Sequence, residues 1–339
     1  MSCSYLIVMR TMESFVLRNS AWESTYNCSA MAHEGWKAYG HPSVSLGVYC
    51  LLLGIVLMTI YVLCLVALVK KDLQKSSCYR IMLMLGIFDV AGLIINCFFN
   101  GYFLIRGFVF CSAPHLIYII GCFLDGIWAA EAALSVLLAV NRCADFWQWK
   151  WFKKLFDGSA INFWLVGVIV YSIYFISIPA PPLFSSVAKG VWFMDPYEGL
   201  DILGVNHVAL PNYELLANNL IVVFALPVLY TALVLSIRFS QTTAGKKKHH
   251  MQVAVQALMI CLLNFCSAFL YVYMHFLPTH HFIFVVCLAG WQGSSGAGGV
   301  IYLIFNKAIR KAVFRFFPCN RNIALNSIVF KLAANSPRD

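Results

Sequence analysis

Seven long apolar stretches alternate with polar clusters along the chain. A helix rising 1.5 Å per residue needs about 20 apolar residues to cross about 30 Å of hydrocarbon. Windows of that kind run from Val44 to Val69, Ile81 to Ile105, Ala113 to Asn141, Ile161 to Ile178, Leu215 to Phe239, Val253 to Leu277 and His281 to Phe305. The first carries no charge and stops at Lys70-Lys71-Asp72. The fourth stops against Pro179, Pro181 and Pro182, which cannot continue a helical ladder. The pattern predicts an all-α membrane protein, a seven-transmembrane helix bundle over residues 44–305. Residues 1–43 are expected as an extracellular amino-terminal segment and 306–339 as an amphipathic helix and short cytoplasmic tail. The opening apolar run is interrupted by Arg10 and Glu13, so the first span is expected to direct its own insertion.

Composition supports the bilayer. Hydrophobic residues make up 61% and charged residues 11% of the chain, against about 45–50% and about 25% in soluble domains. The formal charge of +10 has no soluble basic face to sit on, which argues against nucleic acid as a partner. Its distribution sets the orientation instead. Nineteen Lys and Arg fall in one set of connections plus the carboxyl end, and five in the other. The positive-inside rule then puts the amino terminus outside. The tripeptide Asn27-Cys28-Ser29 is a glycosylation acceptor and agrees, although such tripeptides also arise by chance.

After the seventh span, Asn306 to Phe317 places Ala308, Ile309, Ala312, Val313, Phe316 and Phe317 on one face, with Lys307, Arg310, Lys311 and Arg315 elsewhere. A helix of this kind lies on the membrane surface and is drawn to anionic lipid. Pro318 ends it, and Cys319 is either a palmitoylation site or a free juxtamembrane thiol.

Ionisable groups inside spans are costly and mark function by default. Asp89 and Glu131 lie about 13 and about 16 Å from the cytoplasmic ends of spans 2 and 3, counted at the helical rise. They are expected to meet near mid-membrane. Two carboxylates that close share a proton or bind a monovalent ion, an ion or proton switch, unless each is protonated and bonded to backbone or to Asn96. Asp125 lies in the outer third, with Trp128 one turn away. Tyr271, Trp291 and Gln292 stand at compatible depths on spans 6 and 7. Together these five residues predict a ligand pocket open to the outside, mostly apolar with a few polar groups. The loop from Leu183 to Tyr213, with Trp192, Phe193 and Tyr197, either covers that pocket or is simply solvated.

Arg142 closes span 3 at the inner face, where it pairs with Asp145 or snorkels to lipid phosphate. The run Lys246-Lys247-Lys248 is either a topology signal or a direct contact with a cytoplasmic partner. Span 7 is rich in small residues, from Gly290 through Gly299, which allow close approach and bending. The thirteen cysteines lie mostly inside apolar runs and are expected to pack. Outside stand Cys3, Cys28 and Cys111; a Cys28 to Cys111 bridge would tie the amino-terminal segment over the bundle mouth, with Cys3 as competitor.

Several of these residues stand in longer motifs: Tyr26-Asn27-Cys28, Ser77-Cys78-Tyr79-Arg80-Ile81-Met82, Gly86-Ile87-Phe88-Asp89, Phe110-Cys111-Ser112-Ala113-Pro114, Asn141-Arg142-Cys143-Ala144-Asp145, and Tyr302 through Asn306. With them the chain, from about Asn27 to Phe317, resembles the nematode serpentine chemoreceptors of class T. The resemblance implies a G-protein-coupled receptor of chemosensory cells, in the plasma membrane and the cilium, with a heterotrimeric G protein and an external small molecule as partners. It is also distantly similar to the rhodopsin-like receptors, with departures. Asn141 replaces the acid that usually precedes the span 3 arginine, and Gly298-Gly299 replace the Asn-Pro pair of span 7, while Tyr302 keeps its place. No cysteine stands in the second outer loop, which makes Cys28 the candidate partner for Cys111. The tryptophan-proline pair of span 6 is absent. Span 7 has no lysine, which excludes a retinal Schiff base.

On the receptor reading, Arg142, Tyr302 and Lys246 to Lys248 border an inner cavity for G-protein coupling. The alternatives are a seven-span ligand-gated cation channel, which requires inverted topology, and a transporter, for which no repeat between halves is visible. An intramembrane hydrolase would need a serine or histidine constellation, and Ser294-Ser295 lack an evident base. The expectation is a receptor and no enzyme, with no cofactor and no metal.

Overall fold

The structure is a computed structural model and describes residues 11–17, 22–23, 25–197, 199–200, 212–240, 244–276 and 281–315. Cys3 and Cys319 lie outside them. The spans form helices Val44–Leu68, Ser77–Arg106, Pro114–Trp147, Ala160–Ser177, Tyr213–Phe239, Ala244–Phe276 and His281–Phe305, here spans 1 to 7. Among the described residues six helices are long and apolar enough to cross a membrane, and span 6 contains a further apolar stretch, Leu258–Met274.

Span 3 is the axis of the bundle. In its most apolar stretch 72% of the residues are buried, against 22% in span 4. The reverse side of this is an apolar belt facing outward, with Phe163, Val166 and Val170 on span 4 and Ile221, Phe224 and Val228 on span 5 exposed. Such a surface is stable only in lipid. Span 7 approaches span 1 closely because Gly299 has no side chain: a Cβ there would stand 3.0 Å from the Tyr61 Cα.

Span 2 is not a uniform α-helix. Ile94–Phe99 form a π-helical turn between the α-helical segments Ser77–Leu93 and Asn100–Arg106. The Asn96 carbonyl inside it accepts from Gln292 Nε2 at 3.0 Å. After span 7, Asn306 caps a short helix, Lys307–Phe314, its side chain accepting from the Ala308 and Ile309 amides. Ile309, Ala312 and Val313 are buried against the bundle while Lys307 and Lys311 are exposed.

Outside the bundle, the short helix Thr11–Leu17 packs on span 4 and the short helix His33–Tyr39 on the Phe110–Ser112 turn, and a hairpin of β1 (Leu183–Phe184) and β2 (Trp192–Phe193), antiparallel with Phe184 opposite Trp192, packs on span 3 through β1. A disulfide joins Cys28 to Cys111. Trp36 donates to the Cys28 carbonyl at 2.9 Å and stacks on Tyr197. Tyr197 in turn donates to the Asn27 carbonyl. Burial, then the Asp195 carboxylate, pushes the Tyr197 hydroxyl up from its ordinary pKa, which keeps it a donor. Phe15, Trp22 and Tyr26 surround Tyr118 at the outer end of span 3.

The bridge closes 83 residues, for which chain entropy alone would give about 4.5 kcal/mol. Two of the spans inside that loop stay in the bilayer when the rest unfolds, so Cys28→Ser is expected to cost about 1–2 kcal/mol, felt locally. Limited proteolysis of the amino-terminal segment should accelerate about tenfold, with helical circular dichroism unchanged. Cleavage at the wild-type rate would show that packing alone holds the segment.

Candidate functional site

The outer cavity lies between spans 3, 5, 6 and 7 under the hairpin. It is lined by Leu124, Asp125, Trp128, Pro182, Leu215, Asn219, Tyr271 and Trp291 and holds about 240 Å³ of unfilled space, mouth included. Span 3 brings Asp125 and Trp128 to one side because they are three residues apart on one helix. The Trp128 and Trp291 rings meet edge to face at 6.3 Å, and Tyr271 lies 4.9 Å from Trp291. Trp128 Nε1 donates to Asn219 Oδ1 at 2.7 Å, and the Tyr271 hydroxyl donates to the Trp192 carbonyl of the hairpin at 3.1 Å. The roof therefore hangs on the cavity wall.

Asp125 is 2% exposed. Its Oδ2 accepts from Asn212 Nδ2 at 2.9 Å, and the same amide donates to the Ala180 carbonyl at 3.0 Å. The Asn212 Oδ1 caps span 5 by accepting from the Leu215 amide at 2.7 Å. One asparagine thus links the acid of span 3 to the start of span 5. The other oxygen, Oδ1, is buried and has no hydrogen-bond partner among the described residues.

Near the middle of the bundle, Asp89 and Glu131 are 2% and 1% exposed. They face each other closely enough to hydrogen-bond when one is protonated. Tyr61 donates to Asp89 Oδ2, and Ser295 donates to Glu131 Oε1 at 3.2 Å. Among the described residues neither acid has an ion-pair partner. Tyr302 is fully buried with its ring edge-on to Tyr61, so it packs toward this cluster. Gln292 is not part of the outer cavity. It faces spans 1 and 2, bonding Asn96 and Cys50.

At the inner end of span 3, Arg142 Nη2 pairs with Asp145 Oδ2 at 2.5 Å and donates to Asn141 Oδ1 at 2.7 Å. Asn141 Nδ2 donates to Ser77 Oγ of span 2 at 2.9 Å. Lys246, Lys247 and Lys248 lie in the first turns of span 6.

A family model described as serpentine type 7TM GPCR chemoreceptor Srt matches residues 10–325. The chain belongs to that family. Serpentine receptor class T-55 of Caenorhabditis elegans is 23% identical over 310 residues, which cover 89% of this chain and 83% of that one. The crystal structure of squid rhodopsin shares the fold, with a TM-score of 0.59 at 14% identity over 93% of this chain and 94% of that one. The Srt chain is thus a multi-span G-protein-coupled receptor with the seven-helix architecture expected from its hydropathy.

Three residues that matter to the cavity of this Srt receptor are not placed there by the sequence. Asn212 had a signal, since an asparagine just before an apolar run is a helix cap. Asn219 and Pro182 had none, because only the packing of span 5 and the roof against span 3 brings them to the site. Tyr61 lies in an unbroken apolar run and gave no hint of its bond to Asp89.

Proposed function

We propose that this serpentine receptor binds an external small molecule in the outer cavity and activates a heterotrimeric G protein at its inner face. One observation carries the reading: span 3 holds both the buried acid of the cavity, Asp125, and the arginine of the inner end, Arg142. A ligand that binds one arrangement of the cavity better than the other biases the whole helix by that difference in affinity, and no more. Asp125, Trp128, Tyr271 and Trp291 are the ligand contacts. Gln292 belongs to the packing that carries the change between spans 1, 2 and 7. Arg142, the Lys246 to Lys248 run and Tyr302 serve coupling, Tyr302 through the acid cluster rather than by direct contact. The receptor resides in the plasma membrane of a chemosensory cell, with the cilium as its site, and its amino terminus is extracellular. Asn27 is glycosylated, and Cys319 is palmitoylated beside the amphipathic helix on anionic lipid. Support for the orientation comes from the charge asymmetry and from the Cys28–Cys111 bridge, which belongs in an oxidising compartment.

Glycosylation mapping tests the orientation without an agonist. An engineered acceptor site on the carboxyl tail should stay unmodified, while the wild-type amino terminus gives a glycosidase-sensitive shift that Asn27→Gln removes. Modification of the tail site would invert the topology and end the receptor reading.

Asp89 and Glu131 act as an ion or proton switch. With no ion-pair partner among the described residues, both cannot be ionised in that low-dielectric site unless a cation joins them. One proton or one sodium ion therefore separates two states of the bundle. Glu131→Gln is expected to leave the fold intact and to abolish the sodium and pH dependence of basal nucleotide exchange. Unchanged dependence in this variant would remove the switch.

A further inference from the structure

The wall of the outer cavity has an uneven hydrogen-bond inventory. Two of its aromatic donors, Trp128 Nε1 and the Tyr271 hydroxyl, are engaged with Asn219 and with the Trp192 carbonyl. Among the described residues the buried acceptor Asp125 Oδ1 has no partner, and no Lys, Arg or His lines the space. A second acid, Glu214 at the start of span 5, adds to the negative field at Asp125. Three aromatic rings, Trp128, Tyr271 and Trp291, share the wall with that acid.

From this inventory we infer that the cavity selects a small organic ammonium ion, whose charged head pairs with Asp125 and sits against the Trp128, Tyr271 and Trp291 rings. The inference rests on the reading of this cavity as the ligand site. The chemistry is complementary on two counts. A carboxylate oxygen buried without a partner is unfavourable until a donor, best a cation, meets it. Aromatic faces attract alkylammonium groups, and most strongly where water is excluded. An anion would meet Asp125 as a like charge. A neutral alcohol could bond the acid but would lack the attraction of a cation to the ring faces.

The test uses the full chain in lipid nanodiscs with 5-fluorotryptophan, reading the fluorine resonances of Trp128 and Trp291, assigned by Trp→Phe variants. The probes are alkyl and arylalkyl ammonium ions from methylammonium to phenethylammonium, each with its alcohol and carboxylate counterpart. At least one ammonium probe is expected to shift both resonances saturably, at least tenfold more tightly than its alcohol. Asp125→Asn should weaken it at least tenfold and weaken the alcohol by much less. Trp291→Leu, read at Trp128, gives an independent arm and should weaken the ammonium more than the alcohol. Equal or preferred binding of an alcohol or carboxylate would overturn the ligand class and leave the cavity as the ligand site. Unmoved resonances with every probe would overturn both.

Discussion

Gly121→Val is expected to destabilise the folded receptor by about 3 kcal/mol, the upper end for overpacking. A Cβ at this position would stand 2.1 Å from the Pro182 carbonyl oxygen and 3.3 Å from the Pro181 Cβ. Neither side can yield cheaply. Gly121 lies in the regular interior of span 3, and Pro179, Pro181 and Pro182 have ring-locked φ angles. The clash also falls on the cavity, because Pro182 is part of its lining. The variant should therefore melt earlier in nanodiscs and lose probe binding even in the fraction that folds. Gly167→Ala is the control: nothing lies within 4 Å of a Cβ there, and alanine is the better helix former. That variant should melt at or slightly above the wild type. If Gly121→Val melted with the wild type, the proline run would not be packed on span 3.

The second large effect is expected at the inner face. Arg142→Ala should lower agonist-driven nucleotide exchange more than tenfold, because on the proposed reading it removes the half-buried cation offered to the G protein. Asp145→Asn should do the reverse to basal exchange. The pair is partly solvated, with Asp145 37% exposed in its side chain, so its loss shifts the resting equilibrium by about 1 kcal/mol, or about fivefold. Both are read as guanine-nucleotide exchange in membranes with a promiscuous G protein. Basal exchange that is unmoved in Asp145→Asn would show that this ion pair does not hold the resting state. The rhodopsin-like pattern puts an acid directly before the arginine; here the acid is one turn after it, and Asn141 bonds both Arg142 and Ser77.

Hydropathy located the parts of helices that lie in hydrocarbon, and it was silent where they leave it. Spans 1, 4, 5 and 7 begin and end within two residues of the apolar windows. Span 2 starts at Ser77 rather than Ile81, span 3 runs on to Trp147 rather than ending at Asn141, and span 6 starts at Ala244 rather than Val253. Each extension carries charged residues, Arg80, Arg142 with Asp145, and Lys246 to Lys248, which end an apolar window although the helix continues through them. The cavity shows the same division. Counting along helices gave the depth at which Asp125, Trp128, Tyr271 and Trp291 share one space. It gave no angle, and adjacent helical residues point about 100° apart. Trp291 and Gln292 therefore part company, one to the cavity and the other to spans 1 and 2. The sequence leaves the Leu183 to Tyr213 loop open between a roof and a solvated loop, because the hairpin within it is held by partners far along the chain: Asn100 bonds Trp192 and Gly190, and the Phe108 carbonyl accepts from Ser186.

The π turn of span 2 makes chain length a determinant of the outer half of the molecule. A π turn holds one residue more than the α turn it replaces, so everything beyond it is rotated by about 100°. Asn100, Phe103 and Leu104 owe their inward aim to that extra residue; Asn100 reaches the hairpin, and Phe103 stacks on Phe108 and meets Phe184. A one-residue gap within 94–99 would change no side chain beyond it and would turn this whole face toward lipid. When relatives are aligned, a gap at this place is thus a change of architecture, whereas a substitution on the lipid side of the same helix is a change of texture.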